Sequence, residues 1–540
     1  MPKNYAFWLL LVCTLLFVSN LDVIYINIME ARNFISAREM LSNGNWLHTT
    51  LNLEPRYEKP PLPTWLTALS MYFFGTTNLY GLRLPAIISA IIMIFASFKL
   101  VNALVKDAFH ALVSSLILAT SFYIIYSGRE AQWDIFAHSF MLLSILYTYK
   151  TLKKNKPQYQ NALLAGFFMG LSLLSKGPVS LYALFLPFIF AYALSFHFKG
   201  FFKQLRPAFF ALILAIIIGS WWAIYIYLTD VQAVKTIATK ETVAWSNRNV
   251  RAWYYYWSFF TQSGLWSFFA LIGLVYPFIK SRVINLRAYR FSMIWTMSAV
   301  ILLSLIPEKK SRYLLPVLIP LALNTSFYVH YLIVKAKSLP KLDKFMATFG
   351  FGLLALVCFA IPLVGFLKYP FLVQKYPINY GFFSIVLVAI GIYIIKTLWQ
   401  TDYKQSFYAS IALMCSVMIL GLPLLKGFYN NPNFKSIHQL KQWSELQAIP
   451  VFVKGYIAPE LLWEYGEPIE TIEDINEINS LSQFGLITQD SLPSAYKNAY
   501  QVILNQHYDL NYMRSNSGKE NKRLKTEFYL LEKKQDTVRY

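Results

Sequence analysis

Long apolar runs alternate with short polar connections over most of this chain. The runs fall near 7–28, 83–105, 108–126, 135–150, 161–175, 179–197, 207–228, 258–279, 291–306, 313–334, 345–367, 381–398 and 406–425. Runs of about 17–25 residues suffice to cross a hydrocarbon core roughly 30 Å thick. Backbone groups in lipid must be satisfied within the segment, so the pattern predicts helices. The expected fold class is an α-helical polytopic membrane protein with about thirteen transmembrane helices. A further apolar piece, 62–74, is too short to span and is expected to be re-entrant or interfacial. The first run, from Tyr5, has the look of a secretion signal, but it lacks a small-x-small cleavage site and continues towards Ile28. It reads as an uncleaved first span.

Two polar stretches interrupt the pattern. The first, within 29–82, reads MEARNFISAREMLSNGNWLHTTLNLEPRYEKPPLPTW from Met29 to Trp65. Its first dozen residues predict a surface helix, with Ala31, Phe34, Ile35 and Leu41 on one side and Arg32, Ser36, Glu39 and Asn43 opposite. Glu58 and Lys59 then stand before Pro60 and Pro61, which stiffen the backbone. The second stretch is 229–257. From about Asn430 the chain takes ordinary soluble character: 450–456, 484–488, 500–504 and 526–531 read as strands, and 436–446 and parts of 459–480 as helix. The expected division is therefore a membrane part, 1–429, and a small extracytoplasmic α/β domain, 430–540, without a phosphate loop or catalytic constellation of its own.

Composition agrees. Hydrophobic residues make up 56% and charged residues 14%, well below the roughly 25% charge of soluble domains. A formal charge of +22 raises nucleic acid as a partner, but much of the excess lies in short connections, as the positive-inside bias requires. Nucleic acid is set aside on that ground. With the N-terminus in the cytoplasm, every inner connection carries a base, among them Lys106, Lys153, Lys199, Arg206, Arg282, Lys337 and Lys396. The odd number of spans then sends the C-terminal domain outside. Cys13, Cys358 and Cys415 all lie in apolar runs and have no metal or disulfide spacing.

Topology does not account for the bases on the outer side: Lys59, Arg83, Arg129, Lys176, Lys240, Arg251, Lys309, Lys310 and Arg312. Cations beside a membrane suit phosphate, which arginine grips through two parallel bonds. The plainer reading of each is an interfacial anchor. As a set they predict a site for an anionic headgroup or a lipid phosphate.

Several blocks together resemble a known family. They are Glu30-Ala31-Arg32, 37–41, 43–46, Glu58-Lys59-Pro60-Pro61-Leu62 with Trp65, Arg83-Leu84-Pro85, Arg129 with Asp134, 175–178, and 309–316. They resemble the polyprenyl-phosphate-dependent glycosyltransferases of the GT-C type, above all the bacterial aminoarabinose lipid A transferases and the protein O-mannosyltransferases. The resemblance implies a sugar donor on a polyprenyl phosphate, a glycolipid or protein acceptor outside the inner membrane, and contact with membrane lipids. It requires no nucleotide site, because the lipid phosphate is the leaving group.

On that resemblance the candidate carboxylates are Glu30, Glu58 and Asp134, and the candidate donor-phosphate ligands are Lys59, Arg251, Lys310 and Arg312. Arg32, Arg83, Arg129, Lys176 and Glu241 are further candidates. Plainer roles stand beside them: Glu58–Lys59 as a loop staple, Asp134 as a partner of Arg129, Lys176 as a turn anchor, Glu241 as a solvated charge. No cofactor is expected; a divalent metal is left open, but His48, His110 and His138 lack ligand spacing. One departure matters. The family pattern has an acidic pair at the first outer loop, and here Met29 precedes Glu30. Glu30 takes over the role, or Glu58 or Asp134 suffices, or transfer is impaired and the cavity only binds lipid. A lipid or polysaccharide transporter is the rival from another class, although the polar residues gather in outer loops rather than at mid-membrane.

Overall fold

The computed structural model describes residues 2–196, 201–478, 480–513 and 521–534, without the side chains of 201 and 244–246; Lys199 lies outside them. Helix dominates, as the apolar pattern requires, and the chain is a multi-span membrane protein. Among the described residues, seven helices are long and apolar enough to cross a bilayer: Leu79–Val105, Phe202–Thr229, Leu286–Leu305, Ser311–Val334, Lys341–Lys368, Pro377–Trp399 and Tyr403–Phe428. Ala108–Ala119 and Phe122–Arg129 make an eighth if taken together, although they bend by 66°.

The expected count of about thirteen differs from this because several apolar runs fold as shorter or broken helices. Within the 179–197 run, a π-turn, Leu181–Phe185, passes into Leu186–Ser195. The 258–279 run splits into Phe259–Trp266, Ser267–Gly273 and Tyr276–Ile279, with Gly264 at φ 64° breaking the first. The first run ends at Phe17 rather than near Ile28. Two buried arginines take carbonyls in its last turn and just beyond it: Arg129 donates to Leu16 O at 2.8 Å, to Asn20 O at 3.0 Å and to Ser19 O, and Arg83 donates to Leu21 O. Backbone acceptors that a longer helix would have consumed are satisfied by side chains instead.

The chain divides into two compact units, Met1–Val23 with Tyr57–Leu424, and Ile24–Arg56 with Leu425–Tyr540. In the first, the Tyr159–Lys176 and Phe201–Thr229 helices pack side by side through glycine. A Cβ on Gly166 would stand 2.2 Å from Ala211 O, and one on Gly170 would stand 2.6 Å from Ile218 Cβ. These pairs increase together along both helices, so the two run parallel at close approach, the use that small residues spaced four apart have in membranes.

The second unit holds a five-stranded sheet. Its strands after the hairpin β1 (Thr50–Leu51) and β2 (Glu54–Pro55) are β3 (Val451–Lys454), β4 (Glu470–Ile472), β5 (Gln483–Thr488), β6 (Tyr500–Asp509) and β7 (Lys525–Lys533). The order is β4-β3-β5-β7-β6, with β3 parallel to β4 and β5, and β7 antiparallel to β5 and β6. The four expected strands are all present. The three-residue β4 was not foreseen; it is too short to show a period.

The first-loop helix, Ile28–Asn43, belongs to this unit. Ile35 enters the core with Val453, Leu461 and Phe528, and Phe34 meets Trp463 at 5.3 Å. The expected two-sided character is therefore corrected in part, because Ser36 and Glu39 on the polar side are buried as well, while Arg32 is half-buried and Asn43 exposed. Ser36 Oγ donates to Thr50 O at 2.6 Å, and the Glu39 carboxylate accepts from Asn52 N at 2.8 Å and Leu53 N at 3.3 Å. Asn52 and Leu53, at φ 58° and 65°, make the tight turn between β1 and β2. A buried acid that looks like surface in the sequence thus holds a left-handed turn.

Candidate functional site: a buried charge cluster at one end of the membrane unit

Three helix ends supply the core of the cluster. Asp134 stands in the first turn of Trp133–Leu152, and Lys176 is the last residue of Tyr159–Lys176. An acid at a helix N-terminus and a base at a C-terminus both suit the helix dipole. The Asp134 carboxylate and Lys176 ammonium form an ion pair, and both residues are buried. His138, one turn after Asp134, brings Nε2 to 3.9 Å from Oδ1, while its Nδ1 faces Ser180 Oγ at 3.0 Å.

The third contribution comes from Glu308 to Tyr313, before the Leu315–Val334 helix. Arg312 lies within electrostatic reach of Asp134. Tyr313 donates to Glu308 Oε2 at 3.2 Å, and Lys310 pairs with the same carboxylate. The Tyr313 ring has Lys176 Nζ at 5.5 Å and Lys310 Nζ and the Arg312 guanidinium at 5.7 Å from its centre. Three cations within 6 Å of one ring centre are in cation–π range. Lys59 is close enough for its charge to act on Lys176. Asp134 and Glu308 thus face three cations, with Lys59 in reach; the buried Glu130 acts together with Asp134 and Arg312 on Tyr123, and among the described residues Arg312 Nε is buried without a hydrogen-bond partner. The surplus is positive, and the arrangement can hold an oxyanion.

Backbone bonds fix the block. Val250 and Glu308 form an isolated bridge, Arg251 N donates to Pro307 O at 3.3 Å, and Lys309 N to Asn249 O at 3.1 Å. Tyr256 accepts from Lys310 N at 3.0 Å and donates to Lys310 O at 3.2 Å. The Arg251 backbone is therefore tied to the block while its side chain is exposed. Lys309 Nζ donates to Ile306 O at 2.6 Å, and burial lowers the pKa of its ammonium.

The remaining sequence candidates separate. Asp134 pairs with Lys176 and not with Arg129, whose guanidinium is spent on carbonyls in the last turn of the first helix and just beyond it. Arg83 and Arg129 are both buried there. Glu58 is exposed and Lys59 half-buried. Their neighbour Tyr57 donates to Asp230 Oδ2 at 2.9 Å, and burial followed by Asp230 raises its pKa. Glu241 lies half-buried on Val231–Asn247, beyond Asp230. In the other unit, Glu30 is buried in the first turn after the cap Asn27, which accepts from Met29 N at 2.9 Å and donates to Glu30 Oε2 at 3.3 Å. Arg32 is half-buried there, and among the described residues its Nε has no hydrogen-bond partner. Glu308, Tyr313, Tyr256 and His138 were not singled out for the site. Glu308 and Tyr313 had a signal, being the flanks of the basic block; Tyr256 and His138 had none. Among the described residues no group of three His, Cys, Asp or Glu could hold a metal ion.

Comparison with known proteins gives three kinds of likeness. Residues 58–225 match the family described as Dolichyl-phosphate-mannose-protein mannosyltransferase. The undecaprenyl phosphate-α-4-amino-4-deoxy-L-arabinose arabinosyl transferase of Shewanella sediminis is 24% identical over 54% of this chain and 54% of its own. The corresponding Proteus mirabilis protein is 22% identical over 89% of this chain and 84% of its own. The Shewanella and Serratia proteamaculans alignments thus span only 54% and 59% of those proteins. The crystal structure of ArnT from Cupriavidus metallidurans bound to undecaprenyl phosphate shares the fold, with a TM-score of 0.68 at 15% identity over 98% of both chains.

Proposed function

Since this chain has the fold of a GT-C transferase and resembles the polyprenyl-phosphate-dependent glycosyltransferases in sequence, we propose that it is a membrane glycosyltransferase. It moves a sugar from a polyprenyl-phosphate donor to an acceptor outside the cytoplasm, a lipid A-like glycolipid or a protein. It sits in the inner membrane with its N-terminus in the cytoplasm and its C-terminal domain in the periplasm. The observation that carries this reading is the positive surplus around Tyr313. An acceptor oxygen attacks the anomeric carbon, the bond from that carbon to the phosphate oxygen breaks, and the phosphate leaves with the electron pair. Charge gathers on the departing phosphate, and fixed cations in a water-poor site stabilise it most effectively there.

Lys59, Lys310 and Arg312 bind that phosphate, and Arg251, exposed on a segment stapled to the same block, closes over it. Lys176 holds Asp134 ionised and oriented. Asp134 or Glu58 takes the proton of the attacking hydroxyl, and a phosphate acceptor needs no such base. Glu30 is the other carboxylate for this task, following Met29 at the place of the family's acidic pair. Met29 also favours a second reading, a homologue impaired in transfer that binds polyprenyl phosphate without turning it over.

Turnover separates the two. Purified protein given a labelled polyprenyl-phosphate sugar and envelope acceptors should release polyprenyl phosphate, and Lys59→Ala and the double variant Asp134→Leu/Lys176→Met, which leaves no unpaired buried charge, should lose that release at normal expression. No release by the unaltered protein would leave only the binding reading. Undiminished release by both variants would remove this site from the reaction.

A further inference from the structure

A concave site lies at the other end of the membrane unit. The Tyr159–Lys176 helix has 18 residues, so Tyr159 stands about 25 Å from Lys176 along its axis at 1.5 Å per residue. That is close to a hydrocarbon thickness. There Tyr159, Leu205, Arg206, Phe209 and Phe210 line a cleft of about 620 Å³. Tyr159 and Phe210 are 6.2 Å apart ring to ring, and Phe209 and Phe210 meet edge to face at 5.9 Å. All five lining residues are exposed: three aromatic rings and a leucine face the position of acyl chains, with one guanidinium at their head.

The surroundings are basic and rigid. Gln204 donates to Lys154 O at 2.9 Å and Lys156 O at 2.8 Å, and its Oε1 accepts from Gln158 N at 3.3 Å. One buried side chain thus ties the 154–158 loop to the helix that carries Arg206. Lys154, Lys156 and Lys203 are exposed beside it. The sequence contains no Asp or Glu between Asp134 and Asp230, so neither helix nor the loop supplies a carboxylate to balance them.

The geometry points to a binding site for a phospholipid with a net negative headgroup, in the leaflet opposite the transfer site. Its phosphate lies on Arg206, its glycerol at Tyr159, and an acyl chain along Phe209 and Phe210. The interaction is separate from the transfer chemistry and uses none of its residues.

Native mass spectrometry of the full-length protein in detergent, with equal amounts of phosphatidylglycerol and phosphatidylcholine, tests it. The protein should retain phosphatidylglycerol in preference to phosphatidylcholine. Arg206→Gln should lower that retention about tenfold, the scale of one hydrogen-bonded charge contact, and Lys337→Gln, an exposed lysine on another loop, should leave it unchanged. Equal retention of the two lipids, full retention by Arg206→Gln, or an equal loss in Lys337→Gln would overturn the site. So would displacement of the lipid by inorganic phosphate, which would mark a free-anion site instead.

Discussion

Asp134 and Lys176 carry the largest single-residue consequence. Each is buried, and each is the other's ion-pair partner. Breaking such a pair leaves an uncompensated charge and costs about 3–5 kcal/mol, more than the pair contributes against an apolar replacement. Lys176→Met should therefore lower the thermal midpoint in detergent sharply. Adding Asp134→Leu should restore most of it while abolishing transfer. Recovery of stability without recovery of activity would separate the structural role of the pair from its chemical one. Both residues were legible as bases and acids on the outer side, but their pairing was not, because Arg129 stands nearer to Asp134 in sequence. What decided it was a demand the sequence does not display. The carbonyls of Leu16, Ser19 and Asn20 take the Arg129 guanidinium, which leaves Lys176 to Asp134.

Among the elements, the parallel pair Tyr159–Lys176 and Phe201–Thr229 depends on backbone closeness at Gly166. A side chain there has no room, since its Cβ would stand 2.2 Å from Ala211 O. Gly166→Val should part the helices and cost upwards of about 1–3 kcal/mol, the range for overpacking, visible as a lower midpoint and easier proteolysis. Gly352, with open space around its Cβ position, should accept alanine without loss. In the second unit, Asn52 donates to Ile469 O at 2.7 Å and accepts from Ile469 N at 2.8 Å. Asn52→Gly keeps the left-handed turn but removes both bonds, so it should cost about 1–2 kcal/mol. Hydrogen exchange should then quicken at Ile469. Periodicity revealed these helices and the four longer strands because apolar spacing is a local property. It did not reveal the breaks at Gly264 and after Phe17, nor the burial of Glu39. Those depend on partners distant in sequence, such as Arg129 for the first helix and the Thr50–Pro55 hairpin for Glu39.

For the whole molecule, the useful signal was an asymmetry in charge. Bases on the expected inner side follow the insertion bias, whereas those on the outer side do not, and it is among the latter that the structure assembles Lys176, Lys310 and Arg312 around Tyr313. Arg83 and Arg129 belong to the same outer set but serve the backbone, so charge alone marks a neighbourhood and not its members. The remaining question is whether the assembled surplus holds a lipid-linked phosphate. Equilibrium binding of polyprenyl phosphate to the purified protein and to Arg312→Ala asks it directly, with Lys337→Gln as the control for non-specific charge. One charge-assisted contact with phosphate is worth about 1.5–3 kcal/mol. Arg312→Ala should bind at least tenfold more weakly, and Lys337→Gln should bind as the unaltered protein does. Unchanged affinity in Arg312→Ala, in a protein that still folds, would contradict a phosphate site there.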